Sequence, residues 1–284
     1  KWEAFNMSKA LLKSGLFAML SCLFVNTVTA QGVNVAADAS PACNVTPANN
    51  STCASTPAVY QVKVYEMGMC TAHPYGAAKT GQTFDTASCV VTYSDAAPTS
   101  VDIAANIGGN VGLTGTSFAP AVGVYAYPYI VMGSDFNVGG TYTSGGVVYY
   151  SATNGSVSAL SSAYVTTTDT LNDFGGGQNV CASGYVGESV PGGIIDGFVT
   201  STALAREATG GINAQFTCLN AARVVGVMTL ASPITVTSKT YSVAFNFNLT
   251  NAGVQWGDGG DAGVIPEDFG SAPFSGYFTV LSSD

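Results

Sequence analysis

From Val59 onward the chain alternates apolar and polar positions with a period of two. In VYQVKVYEMGMC, Val59 to Cys70, the side chains of Tyr60, Val62 and Val64 stand between Gln61, Lys63 and Tyr65. That spacing puts one set on the buried face of a strand and the other toward solvent. The same signature returns at Cys89–Tyr93, Ser100–Ala104, Val122–Met132, Gly146–Ala152, Ala163–Leu171, Gly197–Ala203, Ala222–Leu230, Ile234–Leu249 and Ser275–Ser282. Gly, Pro, Asn and Asp clusters separate these runs and break strands. Only TALAREATG, Thr202 to Gly210, has helical character, and it is barely two turns long. Many short strands at this spacing predict an all-β protein, an antiparallel β-sandwich built as one large or two small sandwiches over residues 58–284. No fixed-period repeat is visible.

Residues 31–57 lack the alternation. They are small, polar and interrupted by proline, and predict an extended or loop-like leader. Ahead of them, Met7 begins a three-part secretory signal: Lys9 and Lys13, then the apolar run Leu16–Val25, then NTVTA ending at Ala30. Residues 1–6 have no targeting character. Small residues at Val28 and Ala30 place cleavage after Ala30, and the apolar run is too short to span a ~30 Å hydrocarbon core. Cys22 offers a lipoprotein reading, but the apolar run continues past it, where a lipid-modified cysteine should end it. The expected location is secreted: extracellular, cell-surface or periplasmic.

Export changes the reading of the cysteines. Six remain beyond Ala30, an even number that argues for disulfides. Sequence-local pairing joins Cys43 with Cys53, Cys70 with Cys89 and Cys181 with Cys218. No pair has the short CxxC spacing of structural zinc.

Charge narrows the partners. Removing residues 1–30 takes away three lysines and one glutamate, leaving five basic and sixteen acidic side chains. Such a surface repels phosphate backbones and anionic lipid heads, which argues against nucleic acid and membrane-surface binding. Charged residues are only 9% of the chain, against about 25% in ordinary domains. An uncharged hydroxyl and amide surface lets copies approach with little electrostatic penalty.

The run from Val59 through VDIAANIGG to FAPAVGVYAYPYIVM, then TLASPITVTSKTYSVAFNFNL, resembles prealbumin-like and carboxypeptidase-regulatory-like sandwich domains of secreted bacterial surface proteins. Pro120, Gly123 and Tyr125 stand roughly where that family carries a turn into a central strand, though more widely spaced. The resemblance implies a sandwich fold and brings no catalytic residue.

Candidate chemistry is sparse. GTSFAPAVG, residues 115–123, is one insertion away from the serine-nucleophile signature of subtilisin-like proteases. A triad there needs Asp, then His, then Ser on an α/β fold. The single histidine, His73, is followed by proline and lies too close to Ser117, and a β-branched run follows where a helix should start. Ser117 therefore reads as a turn residue entering a core strand, and the chain as non-enzymatic, with His73 solvated or merely hydrogen-bonded.

The densest acidic segment holds Asp258, Asp261, Glu267 and Asp268, the candidate calcium ligands, but its spacing matches no calcium loop and suits a solvated turn better. Tyr125, Tyr127 and Tyr129 are the candidate ligand-stacking residues. No other cofactor is implied. The expectation is a self-assembling or adhesive surface subunit whose leader adds a strand to a neighbour's sheet; the alternative is a carbohydrate- or ligand-binding module.

Overall fold

The structure, a computed structural model, describes residues 32–35, 43, 52–172, 184–206, 218, 220–257, 266–272 and 274–282. Among them it is nearly all β, without an α-helix. The largest sheet has seven strands in the spatial order Tyr185–Val190, Gly193–Thr200, Arg223–Leu230, Tyr127–Gly133, Val64–Cys70, Cys89–Ser94 and Thr116–Ser117, every neighbour antiparallel. A four-stranded sheet runs Ser275–Ser282, Thr240–Asn248, Gly32–Val35, Asn110–Gly112. Another runs Thr167–Thr170, Asp135–Gly139, Val59–Val62, Val101–Asp102, and smaller sheets complete the sandwich.

Period-two alternation divides the seven-stranded sheet into two buried faces. Met67, Met69, Ile130, Met132, Val224 and Met228 turn toward the main core, where they join Phe245, Phe247 and Trp256. Tyr129, Val131, Phe198, Val225 and Val227 turn the other way into a second cluster, capped by Tyr75 and Phe84 from the loop between Cys70 and Cys89. Both faces are covered, which is why these strands read as nearly continuous apolar runs. Gly68 carries no side chain for a packing reason. A Cβ there would stand 2.6 Å from the Tyr129 ring and 2.5 Å from the Val90 carbonyl.

Three expected strands are each divided between sheets. Val59–Cys70 breaks at Lys63, Val122–Met132 at Ala126, and Ile234–Leu249 between Val236 and Thr240. A strand that switches sheets turns a corner of the sandwich without disturbing its alternation, so the pattern alone shows one run. The helix expected at Thr202–Gly210 is absent from its described part. Leu204 has φ +57°, outside the helical region, and Ala205 bridges to Thr83.

The leader, expected to be extended or loop-like, contributes two short strands. Gly32–Val35 lies inside the four-stranded sheet, antiparallel to Asn110–Gly112 and parallel to Thr240–Asn248. Thr52–Ser55 pairs antiparallel with Val254–Gly257. GVNV and TCAS are each four residues, too short to show a period against the polar residues around them.

The disulfides Cys43–Cys53 and Cys70–Cys89 are formed, and Cys218 is disulfide-bonded as well. Cys181, its expected partner, lies outside the described residues. Disulfides of this kind point to an oxidising compartment. Among the described residues no helix is long and apolar enough to cross a membrane.

Candidate functional site

The most concentrated chemistry lies under the Cys70–Cys89 loop. Asp196 sits mid-strand in Gly193–Thr200, opposite Val227, with Phe198 two residues on and therefore on the same face. It is fully buried. A carboxylate cannot remain there unpaired, and three groups meet it. The Lys79 ammonium donates to Oδ1 at 2.9 Å and stands 2.8 Å from Oδ2. The Gly187 amide donates to Oδ1 at 2.9 Å. His73 Nε2 stands 3.4 Å from Oδ2.

Local sequence explains each position. The pairing of Tyr185–Val190 with Gly193–Thr200 slips by a bulge between Tyr185 and Glu188, and Gly187 within it has φ +91°, a conformation glycine adopts without strain. That bulge aims the amide inward. The Tyr75 amide donates to His73 Nδ1 at 3.1 Å, so the ring's remaining nitrogen faces the aspartate. Aromatic rings enclose the imidazole, Tyr127 at 5.7 Å and Phe198 at 6.1 Å between centroids. His73 is thus a buried histidine, not the solvated one its position before a proline suggests.

Arg206 pins the loop from the other side. Its Nη1 donates to the carbonyls of Lys79 at 2.7 Å and Gly81 at 3.2 Å, and its guanidinium lies 4.6 Å from the Phe198 centroid. The Tyr75 hydroxyl donates to the Leu204 carbonyl at 3.1 Å. Burial pushes the Asp196 carboxyl up, but the contacts with His73, Lys79 and the Gly187 amide outweigh it and hold the group below its ordinary range. Burial lowers Arg206.

Other candidates fall differently. Tyr125 is buried and donates its hydroxyl to the Ala121 carbonyl at 3.0 Å. Tyr129 is buried too, and donates to Glu66 Oε1 at 2.7 Å. Tyr127 is half-buried against His73. These three rings therefore form no exposed stacking platform. Asp258 and Asp261 lie outside the described residues. Glu267 and Asp268 are exposed, with Asp268 in the strand Asp268–Ser271. Among the described residues no three His, Cys, Asp or Glu side chains gather closely enough to hold a metal ion.

Ser117 occupies the two-residue edge strand opposite Tyr93, five strand positions across the seven-stranded sheet from the strand of Asp196. Nearby, Phe118, Val122 and Val124 are exposed apolar residues, Val122 at 72%. Sequence reasoning missed the aspartate cluster entirely. The available signal was a lone Asp in the apolar run GIIDGFVT, a position no strand buries without a counter-charge.

Three tyrosines supply a test of the two-layer burial. Burial raises Tyr60, Tyr75 and Tyr129 well above their ordinary value, with Asp169 adding for the first, Arg206 opposing for the second and Glu66 adding for the third. The folded state keeps them neutral, whereas unfolded tyrosines ionise near pH 10. Their contribution is fully present below about pH 10 and is lost as pH rises beyond it, because unfolding then releases protons. Tyrosinate absorbance should therefore rise in two stages, the later one coinciding with loss of structure. A single reversible titration of every tyrosine near its ordinary value, with the fold intact, contradicts this burial.

No protein-family model, curated protein or solved structure matches the chain.

Proposed function

We propose that the chain is an exported, non-enzymatic structural subunit of an extracellular or cell-surface assembly, whose copies join through the leader. The observation that carries this reading is the position of Gly32–Val35. It fills a slot between Thr240–Asn248 and Asn110–Gly112, where Val33 stands opposite both Phe245 and Val111. Its main chain is bonded on both sides, and no hairpin brings it there.

Cleavage after Ala30 makes this strand the N-terminal element of the mature protein, so it can leave one slot and enter another copy's without threading a loop. Main-chain pairing supplies affinity in such strand addition and the alternating side-chain pockets supply specificity. The low charge of the chain and the exposed Phe118, Val122 and Val124 suit close contact between copies.

The test compares the mature chain with one lacking residues 31–42, which keeps the Cys43–Cys53 disulfide and the Thr52–Ser55 strand. The intact chain is expected to form high-order oligomers by light scattering and electron microscopy. The shortened chain is expected to fold and to remain monomeric. Oligomers of unchanged size without the strand, or a strictly monomeric intact protein, refute the reading.

A further inference from the structure

Independently of assembly, we propose that Lys79 and Asp196 are the partners of an intramolecular isopeptide bond that closes the Cys70–Cys89 loop onto the seven-stranded sheet. The geometry supplies each requirement of an amide condensation. The nucleophile, Lys79 Nζ, is within 2.9 Å of one carboxyl oxygen of Asp196 and 2.8 Å of the other. The electrophile has 0% side-chain exposure, so water is kept from it; the lysine side chain, 28% exposed, enters from the loop side.

Oδ1 accepts the Gly187 amide proton at 2.9 Å, a donor placed where negative charge develops when a nucleophile adds to the carboxyl carbon. Oδ2 faces His73 Nε2 at 3.4 Å. Because Nδ1 accepts the Tyr75 amide proton, Nε2 carries the proton of the neutral ring and points an N–H toward Oδ2. Neither Nε2 nor Oδ2 makes a well-formed hydrogen bond in the unreacted arrangement, so departure of Oδ2 breaks none.

The step balances without a co-reactant. The ion pair passes one proton from Nζ to Oδ2, giving a free amine and a neutral carboxyl. Nζ then bonds to Cγ while charge gathers on Oδ1 against the Gly187 amide. A second proton moves from Nζ to Oδ2, the Cγ–Oδ2 bond breaks, and one water departs. Of the three ammonium protons, two leave in the water and one stays on the amide. The pair rests as ions, and burial, which penalises both charges, lowers the cost of the first transfer within the aromatic enclosure of Tyr75, Tyr127 and Phe198. His73 is a positioning residue that holds the leaving oxygen.

Intact mass of the folded mature protein, with its disulfides reduced and alkylated, is expected to be lower than the sequence mass by one water. Peptide mapping is expected to yield a branched peptide containing both Lys79 and Asp196. Asp196 precedes Gly197, and a succinimide at that Asp-Gly step also removes one water, so Lys79→Arg separates the two. This variant keeps the ion pair without the primary amine and should return to full mass. In a time course after refolding, His73→Ala should form the bond several-fold more slowly, and His73→Gln, which keeps an N–H donor, should restore much of the rate. Full mass in the folded wild-type protein overturns the proposal, as does a water loss that survives in Lys79→Arg.

Discussion

Trp256→Ala is expected to lower the unfolding free energy by about 3–5 kcal/mol, the range for removing a fully buried large aromatic side chain. Trp256 has no exposure, and its ring contacts Tyr142 at 5.8 Å and Phe269 at 4.7 Å between centroids. Its Nε1 donates to Ser55 Oγ at 2.8 Å, and Ser55 is itself fully buried. Alanine therefore leaves a cavity and an unpaired buried hydroxyl, and both terms have the same sign. The strand that suffers first is Thr52–Ser55, whose pairing partner Val254–Gly257 carries the tryptophan. Denaturant unfolding should show the loss in midpoint, and limited proteolysis should cut first near residues 44–57. A loss below about 1 kcal/mol with an uncut leader would mean that the tryptophan does not anchor it.

The same residue shows why the leader was illegible in the sequence. Thr52–Ser55 and Val254–Gly257 are about two hundred positions apart, and neither is long enough to present a period. What makes TCAS a strand is the partner, which local propensity does not see. By contrast, the runs at Val59–Cys70, Arg223–Leu230 and Ser275–Ser282 were legible because each is eight or more residues long and rich in apolar, β-branched or aromatic side chains. The pattern could not tell which run would turn a corner, since alternation persists across Lys63 and Ala126. Two of the disulfides were legible for a different reason. Cys70 and Cys89 end consecutive antiparallel strands in direct register, so nearness in sequence became nearness in space.

The aspartate cluster stayed hidden because its members come from three separate places: His73 and Lys79 from the loop, Gly187 from a bulge, Asp196 from a strand. Composition showed one histidine and few lysines, and their scarcity hid the fact that one of each converges on a single carboxylate. The tyrosines misled in the opposite direction. Named as candidate stacking residues, Tyr125 lies in the main core and Tyr129 in the cluster beneath the Cys70–Cys89 loop, so neither ring is open to a ligand.

Replacing both Cys70 and Cys89 with serine is expected to destabilise the fold by about 3 kcal/mol through loop-closure entropy alone. The comparison that isolates the structural contribution is the matching double replacement of Cys43 and Cys53. The two bridges close segments of 19 and 10 residues, and chain entropy distinguishes such lengths by only about 0.6 kcal/mol. The structure predicts a larger gap. The Cys70–Cys89 bridge holds the loop that delivers His73 and Lys79 to Asp196, and before the Lys79–Asp196 bond forms a loosened loop leaves a buried carboxylate without its counter-charge. Hydrogen exchange should then accelerate at Gly76, Gly81 and Asp85, whose amides bond within the loop, while the Thr240–Asn248 ladder keeps its protection. Losses that differ by no more than loop length requires, with loop amides still protected, would show that the polar cluster and Arg206 hold the cap without the disulfide.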